Sequence, residues 1–226
     1  MSRLVVIEGL IGVGKTTLCR ILEREWGARL VLEPADDNPF LAQFYGDPER
    51  FALPAQLFYL ASRYQQQQGI RQADLFAPFT VCDYLYAKDR LFAEMTLDGH
   101  ELTLYNTFAG ILPEPPPRPD LVVFLDADTE VIRSRILRRG IPAEQVIPAR
   151  YLNDLRDRYY RLWDSYTEAP IHVIRTDTVD YVSDPAARER IVQMIWGWLA
   201  GQPLPDAPER YLGADPTGGG PTLFGV

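Results

Sequence analysis

Short apolar runs alternate with amphipathic stretches along this chain. Residues 4–7, 29–32, 79–82, 121–125 and 172–175 read as strands of the kind a buried parallel sheet uses. Between them, Leu18, Ile21 and Leu22 share one face of a helix predicted over residues 16–25. Asn38-Pro39 offers an N-cap followed by proline at the first helical position, so residues 40–45 are expected to form a short helix. Residues 54–68 predict a longer one, with Leu57, Leu60 and Ala61 facing inward and Gln65 to Gln68 as its solvated end. Residues 113–119 form a proline-rich, stiff connector into the fourth strand. The alternation predicts an α/β fold, a central parallel sheet of about five strands with helices on both faces. No internal repeat is visible. From Gln202 onward Pro, Gly, Asp and Thr dominate, so 202–226 is expected to be a disordered tail and 1–201 a single domain.

The junction between the first strand and the first helix carries Gly9-Leu10-Ile11-Gly12-Val13-Gly14-Lys15-Thr16, a complete phosphate-binding loop. Its glycines Gly9, Gly12 and Gly14 let successive backbone N–H groups turn inward around phosphates. Lys15 reaches the β and γ oxygens, Thr16 offers a hydroxyl to Mg²⁺, and Thr17 lies in the first turn of the helix, whose positive end adds to the field. The strand before and the amphipathic helix after make a chance match the minor reading, and ATP with Mg²⁺ is the expected ligand.

Composition narrows the choice of chemistry. With 226 residues and 46% hydrophobic content the chain can bury a large core, and no apolar run is long enough to span a membrane. The first strand starts almost at Met1, so no signal peptide is expected and the expected compartment is the cytoplasm. Cys19 and Cys82 fall in predicted buried elements and should pack as small apolar groups. With His100 and His172 as its two histidines, the chain is a poor candidate for a histidine zinc site or a Ser-His-Asp triad. A net charge of −8, from 23 basic and 31 acidic residues, argues against nucleic acid as the main partner. It leaves room for a small phosphorylated ligand at a local basic site.

Acidic residues stand where a parallel sheet uses them. Glu33 ends the second strand and Asp83 the third, both facing the crevice at the carboxyl ends of the strands. A carboxylate there can take a proton from a hydroxyl or hold Mg²⁺. Asp126 and Asp128 follow the fourth strand and read as helix caps. Arg135 and Arg139, four apart, share a helix face before a Gly-Ile-Pro break, as an arginine-bearing lid over a transferring phosphoryl group requires.

From residue 4 to about 181 these motifs together resemble the deoxynucleoside kinases that act on deoxyadenosine, deoxyguanosine and deoxycytidine. The resemblance implies a P-loop kinase fold over residues 1–201. It implies that Glu33, in Glu33-Pro34, is the general base for the nucleoside 5′-hydroxyl, and that Tyr45 contacts the sugar 3′-hydroxyl. Gln56 and Arg63 are similar to the pair that reads the base edge, and Asp89 to the aspartate that joins that arginine. Arg135 and Arg139 resemble phosphate-clamping lid arginines, Glu144 a second 3′-hydroxyl contact, and residues 177–181, with Asp177 and Tyr181, the loop that packs on the adenine of ATP. A homodimer through helices is implied as well. Taken singly, each has an ordinary reading as a core ring, a solvated helix position or a turn residue.

Two departures from the family pattern stand out. Asp83-Tyr84-Leu85 keeps the acid after the third strand but places Tyr84 where an arginine is expected, and Ile141 occupies the place of a third lid arginine. Lys88, one helical turn beyond Tyr84, is the nearest candidate to replace the missing cation, with an ordinary solvated lysine as the alternative. An amide beside an Arg–Asp pair suits amino-bearing bases such as adenine and cytosine, and the family resemblance implies purine deoxynucleosides first, with deoxycytidine next. Three other readings share parts of the pattern. A nucleoside monophosphate kinase needs an acceptor-phosphate arginine cluster, yet residues 34–63 offer Arg50 and Arg63 alone. A small-metabolite kinase fits the aromatic-rich segment from Phe40 to Tyr59 less well than a flat base does. A nucleotide-binding switch has no need of an acid at Glu33.

Overall fold

The computed structural model describes residues 2–34, 37–71, 77–112 and 117–201. The expected tail at 202–226 and the first part of the proline connector lie outside the described residues. Five strands, β1 (Arg3–Gly9), β2 (Arg29–Val31), β3 (Phe79–Cys82), β4 (Leu121–Asp126) and β5 (Ile171–Arg175), form one parallel sheet in the order β2-β3-β1-β4-β5. β1 is therefore central, and the loop that follows it opens where β3 and β4 diverge on either side, the place where open α/β sheets bind ligands.

Both faces of the sheet are covered, which is why its strands read as unbroken apolar runs. Val5 and Ile7 enter a core with Leu18 and Leu22 of α1 (Lys15–Trp26), Leu152 and Leu155 of α8 (Ala149–Ser165) and Ile191 of α9 (Pro185–Leu199). Leu4 and Val6, pointing the other way, join Cys82, Tyr84 and Val122 against Ile70 of α3 (Pro48–Arg71). A third cluster, with Phe44, Ala52, Leu60, Ala93 and Tyr105, binds α2 (Leu41–Gly46), α3, α4 (Lys88–Thr96) and α5 (Gly99–Ile111) to one another at the side of the sheet. Cys19 and Cys82 are buried and free, as small apolar residues.

Several local expectations are corrected. The long helix begins at Pro48 and carries Pro54 in its interior. Proline is favoured at the start of a helix; the second one carries an interior cost of about 3 kcal/mol by propensity and stands beside the buried Ala52 and Ala55. Its buried face is also more polar than the pattern predicts: Ala61 is exposed, while Gln56, Arg63 and Gln67 are buried. Asn38 does not cap α2; its Oδ1 accepts from Phe40 N two residues on while its amide donates to the Ala55 carbonyl, so it ties two segments together. Asp126 is no helix cap but a wholly buried acceptor for Arg156, Arg175 and Tyr160. Asp128 holds the N-cap position of α6 (Thr129–Arg139) without a capping bond from its side chain.

Candidate active site

The loop between β1 and α1 is held in shape by close contacts that demand glycine. A Cβ at Gly9 would strike the Leu125 carbonyl of β4, and Gly14, at φ 114°, lies in the left-handed region against the Tyr181 hydroxyl. Lys15 turns its ammonium onto the carbonyls of Gly9 (2.7 Å) and Leu10 (3.0 Å), and burial lowers its pKa against the pull of nearby carboxylates.

The ends of β1, β2 and β3 are joined by side chains here. Thr16 Oγ1 donates to Asp83 Oδ2 at 2.8 Å, and the backbone N–H of Glu33 donates to Asp83 Oδ1 at 2.6 Å. Burial raises the Asp83 pKa, opposed by these hydrogen bonds. Among the described residues there is no cluster of three or more His, Cys, Asp or Glu that could hold a metal ion. A hydroxyl and one carboxylate at the loop mouth are hard oxygen donors, and this set fits Mg²⁺, which completes its shell with water and phosphate oxygens.

Glu33 is the centre of a buried charge cluster. Arg63 donates to its Oε1 through Nε (2.8 Å) and Nη2, and Lys88 Nζ donates to Oε2 at 3.0 Å. Burial works against the carboxylate, yet these two cations outweigh it and hold its pKa down to about 2. Arg63 also pairs through Nη1 with Asp89 and lies over the Tyr59 ring. Lys88 is 3% exposed, so the solvated reading of that residue is overturned. Gln56 Nε2 donates to Thr96 Oγ1 at 3.2 Å beside the same cavity.

Two hollows meet at the loop. One, of about 160 Å³, is lined by Glu33, Tyr45, Gln56, Arg63, Tyr151 and Glu144 among others. The second, of about 710 Å³, runs over the outer side of the loop between α6 and the segment from Asp177 to Ser183. Gly12, Lys15, Thr16 and Arg139 line both. Across them, Arg139 bonds Glu144 of α7 (Pro142–Gln145) at 3.0 Å, while Arg135 is held by the Val13 carbonyl and Thr176. Thr17 and Arg138 line the outer hollow, and Ile141 stands at the N-cap of α7.

Asp177 accepts from Arg175 and from Asp128 N, and the Tyr181 hydroxyl, its pKa raised to about 12 by burial, donates to the Gly14 carbonyl. Every residue expected at the site thus lies around these two hollows or, for Asp89, one contact behind them. Sequence reasoning missed Glu8, which is wholly buried and accepts from the Tyr159 hydroxyl and Leu85 N. Its signal was an acid within the apolar run of β1. It also missed the Asp126–Arg156–Arg175 network, which spacing alone does not reveal.

A five-stranded parallel sheet, a glycine loop at its central strand and paired hollows that meet at a lysine define a P-loop phosphotransferase. More narrowly, the chain belongs to the deoxynucleoside kinase family, whose sequence model, described as Deoxynucleoside kinase, matches residues 5–198. A deoxyguanosine kinase of Bacillus subtilis is 31% identical over 194 residues, covering 83% of this chain and 93% of the relative. The deoxyadenosine/deoxycytidine kinase of the same organism is 30% identical over 201 residues, covering 86% and 92%. The structure of a deoxyadenosine kinase from M. mycoides with bound dATP superposes with a TM-score of 0.72 at 22% identity, covering 85% of this chain and 98% of that one. The chain is therefore an ATP-dependent deoxynucleoside kinase with the P-loop kinase fold.

Proposed function

We propose that this enzyme carries the γ-phosphoryl group of ATP to the 5′-hydroxyl of a purine deoxynucleoside, with deoxycytidine as the next substrate, in nucleotide salvage. The observation that carries this reading is the pair of hollows sharing Gly12, Lys15, Thr16 and Arg139, with Glu33 on the inner side. The deoxynucleoside fills the inner hollow and ATP the outer one. Arg63 and Gln56 face the base edge with Asp89 holding the guanidinium from behind, and Tyr45 and Glu144 face the sugar 3′-hydroxyl. Asp177 and Tyr181 border the adenine of ATP. Thr16 and Asp83 hold Mg²⁺, which when bound neutralises charge on the phosphate oxygens.

Glu33 is ionised across the neutral range, and while Oε1 accepts twice from Arg63, Oε2 accepts once, from Lys88, and keeps a lone pair for the hydroxyl. It orients the 5′-hydroxyl and takes its proton late, as the oxygen becomes acidic on bonding to phosphorus. Lys15, Arg135 and Arg139 spread the charge on the transferring group, which positioning and neutralisation govern more than covalent chemistry does.

The same reading places the enzyme in the cytoplasm as a homodimer. Leu104, Phe108 and Ile111 line one exposed face of α5, a stripe that a second copy can cover. No helix among the described residues is long and apolar enough to cross a membrane. The test is a panel of four deoxynucleosides and their monophosphates with ATP and Mg²⁺. Turnover of deoxyadenosine and deoxyguanosine above the pyrimidines is expected. Turnover confined to the monophosphates, or to thymidine, would contradict the reading.

A further inference from the structure

Lys88 begins α4 inside the inner hollow, and two carboxylates bracket its ammonium. In front, Nζ donates to Glu33 Oε2 at 3.0 Å; behind, it stands 3.8 Å from Glu8 Oε2; beside it, 5.8 Å away, is the face of the Tyr84 ring. Glu8 is itself fixed by three donors. Gly9 N (2.9 Å) and the Tyr159 hydroxyl (3.1 Å) bind Oε1, and Leu85 N (2.8 Å) binds Oε2. It has 0% exposure and does not line either hollow.

We propose that Lys88 is the acceptor-side cation of the transfer and that Glu8 is the residue that positions it; this rests on the phosphoryl-transfer reading above. A buried ammonium is retained when fixed partners repay its lost hydration, and Glu8 and Glu33 are those partners. The other cations of the cluster are committed elsewhere: Lys15 belongs to the loop, and Arg63 is divided between Glu33 and Asp89. Lys88 carries three N–H donors, of which Glu33 takes one.

During transfer the nucleoside 5′-oxygen bonds to the γ-phosphorus, and its proton passes to Glu33. The bond from phosphorus to the bridging oxygen of ATP breaks, and its electron pair leaves with ADP. Once Glu33 is neutral, its attraction for Lys88 falls just as negative charge gathers on the transferring group. Glu8, held by backbone and Tyr159, keeps the ammonium at that point, so the charge is in place without reorganisation.

A double-mutant cycle tests this. Lys88→Met should lower kcat by about 10²- to 10³-fold, the scale of losing one preorganised donor, with KM for nucleoside and ATP little changed. Lys88→Arg should recover part of the loss. Glu8→Gln should lower kcat by up to about 10²-fold, the scale of misplacing a catalytic group by an ångström, yet cost nothing further in the Lys88→Met background. Lys88→Gln serves in the same cycle should Lys88→Met not fold. Wild-type kcat in the Lys88 variants, or full multiplication of the two losses, would overturn the proposal. A wild-type protein that phosphorylates no deoxynucleoside would instead overturn the functional reading beneath it.

Discussion

Arg63 donates two N–H groups to Glu33, so the side chain expected to meet the base also grips the carboxylate expected to meet the 5′-hydroxyl. Base recognition and phosphoryl acceptance are joined through one guanidinium, which Asp89 holds from the other side.

Breaking that junction from one side should be worse than removing both charges. Arg63→Met leaves Asp89 buried beside no guanidinium, an arrangement that typically costs about 3–5 kcal/mol. The Arg63→Met/Asp89→Leu double variant should regain much of that stability and shift preference toward thymidine. Denaturant unfolding and kcat/KM across four deoxynucleosides measure the two effects. Unchanged ratios in the double variant would remove these residues from base reading.

Glu33→Gln should lower kcat by about 10²- to 10⁴-fold, the range for a general base, while ATP still binds. Steady-state kinetics with an ATP-binding titration checks this. Near-normal turnover by a folded variant would take Glu33 out of the proton-accepting role.

Asp83→Asn weakens the oxygen donor that Thr16 faces. The Mg²⁺ concentration for half-maximal activity should rise, and saturating Mg²⁺ should restore part of the rate. A variant with an unaltered Mg²⁺ titration would show that the ion is held without Asp83.

Far from the site, His172 stacks on Trp198 with ring centroids 4.3 Å apart, and burial lowers its pKa. The folded protein thus resists a proton that the unfolded chain accepts near pH 6.5. This group's contribution to stability is full above about pH 6.5 and declines as the pH falls below it. His172→Phe should flatten that part of the Tm profile between about pH 7.5 and 5.5. An identical profile in the variant would assign the pH dependence to other groups.

The sheet was legible because parallel strands covered on both faces are continuous apolar runs, and residues 4–7 and 121–125 announce themselves that way. The loop was legible because its glycines answer to contacts that leave no room for a side chain. Pro54 misled the reading of α3, since tertiary burial overrode a local preference. The inner face of that helix was hidden for the opposite reason: Gln56, Arg63 and Gln67 are polar, and a hydrophobic pattern cannot mark a polar face as buried. Lys88 stood undecided between solvent and site, because helical spacing fixes neighbours along an element and says nothing of what lies across from it. Glu8 was passed over and Asp126 was read as a helix cap for the same reason, their partners Tyr159 and Arg156 lying on a helix distant in sequence.

The most direct test of the account follows a label from ATP. With γ-labelled ATP, Mg²⁺ and deoxyadenosine, the label should appear on the 5′-oxygen of the nucleoside in step with ADP. The same mixture with Lys15→Ala in place of the wild type should yield none. Label released as inorganic phosphate, with the deoxyadenosine unaltered, would contradict it.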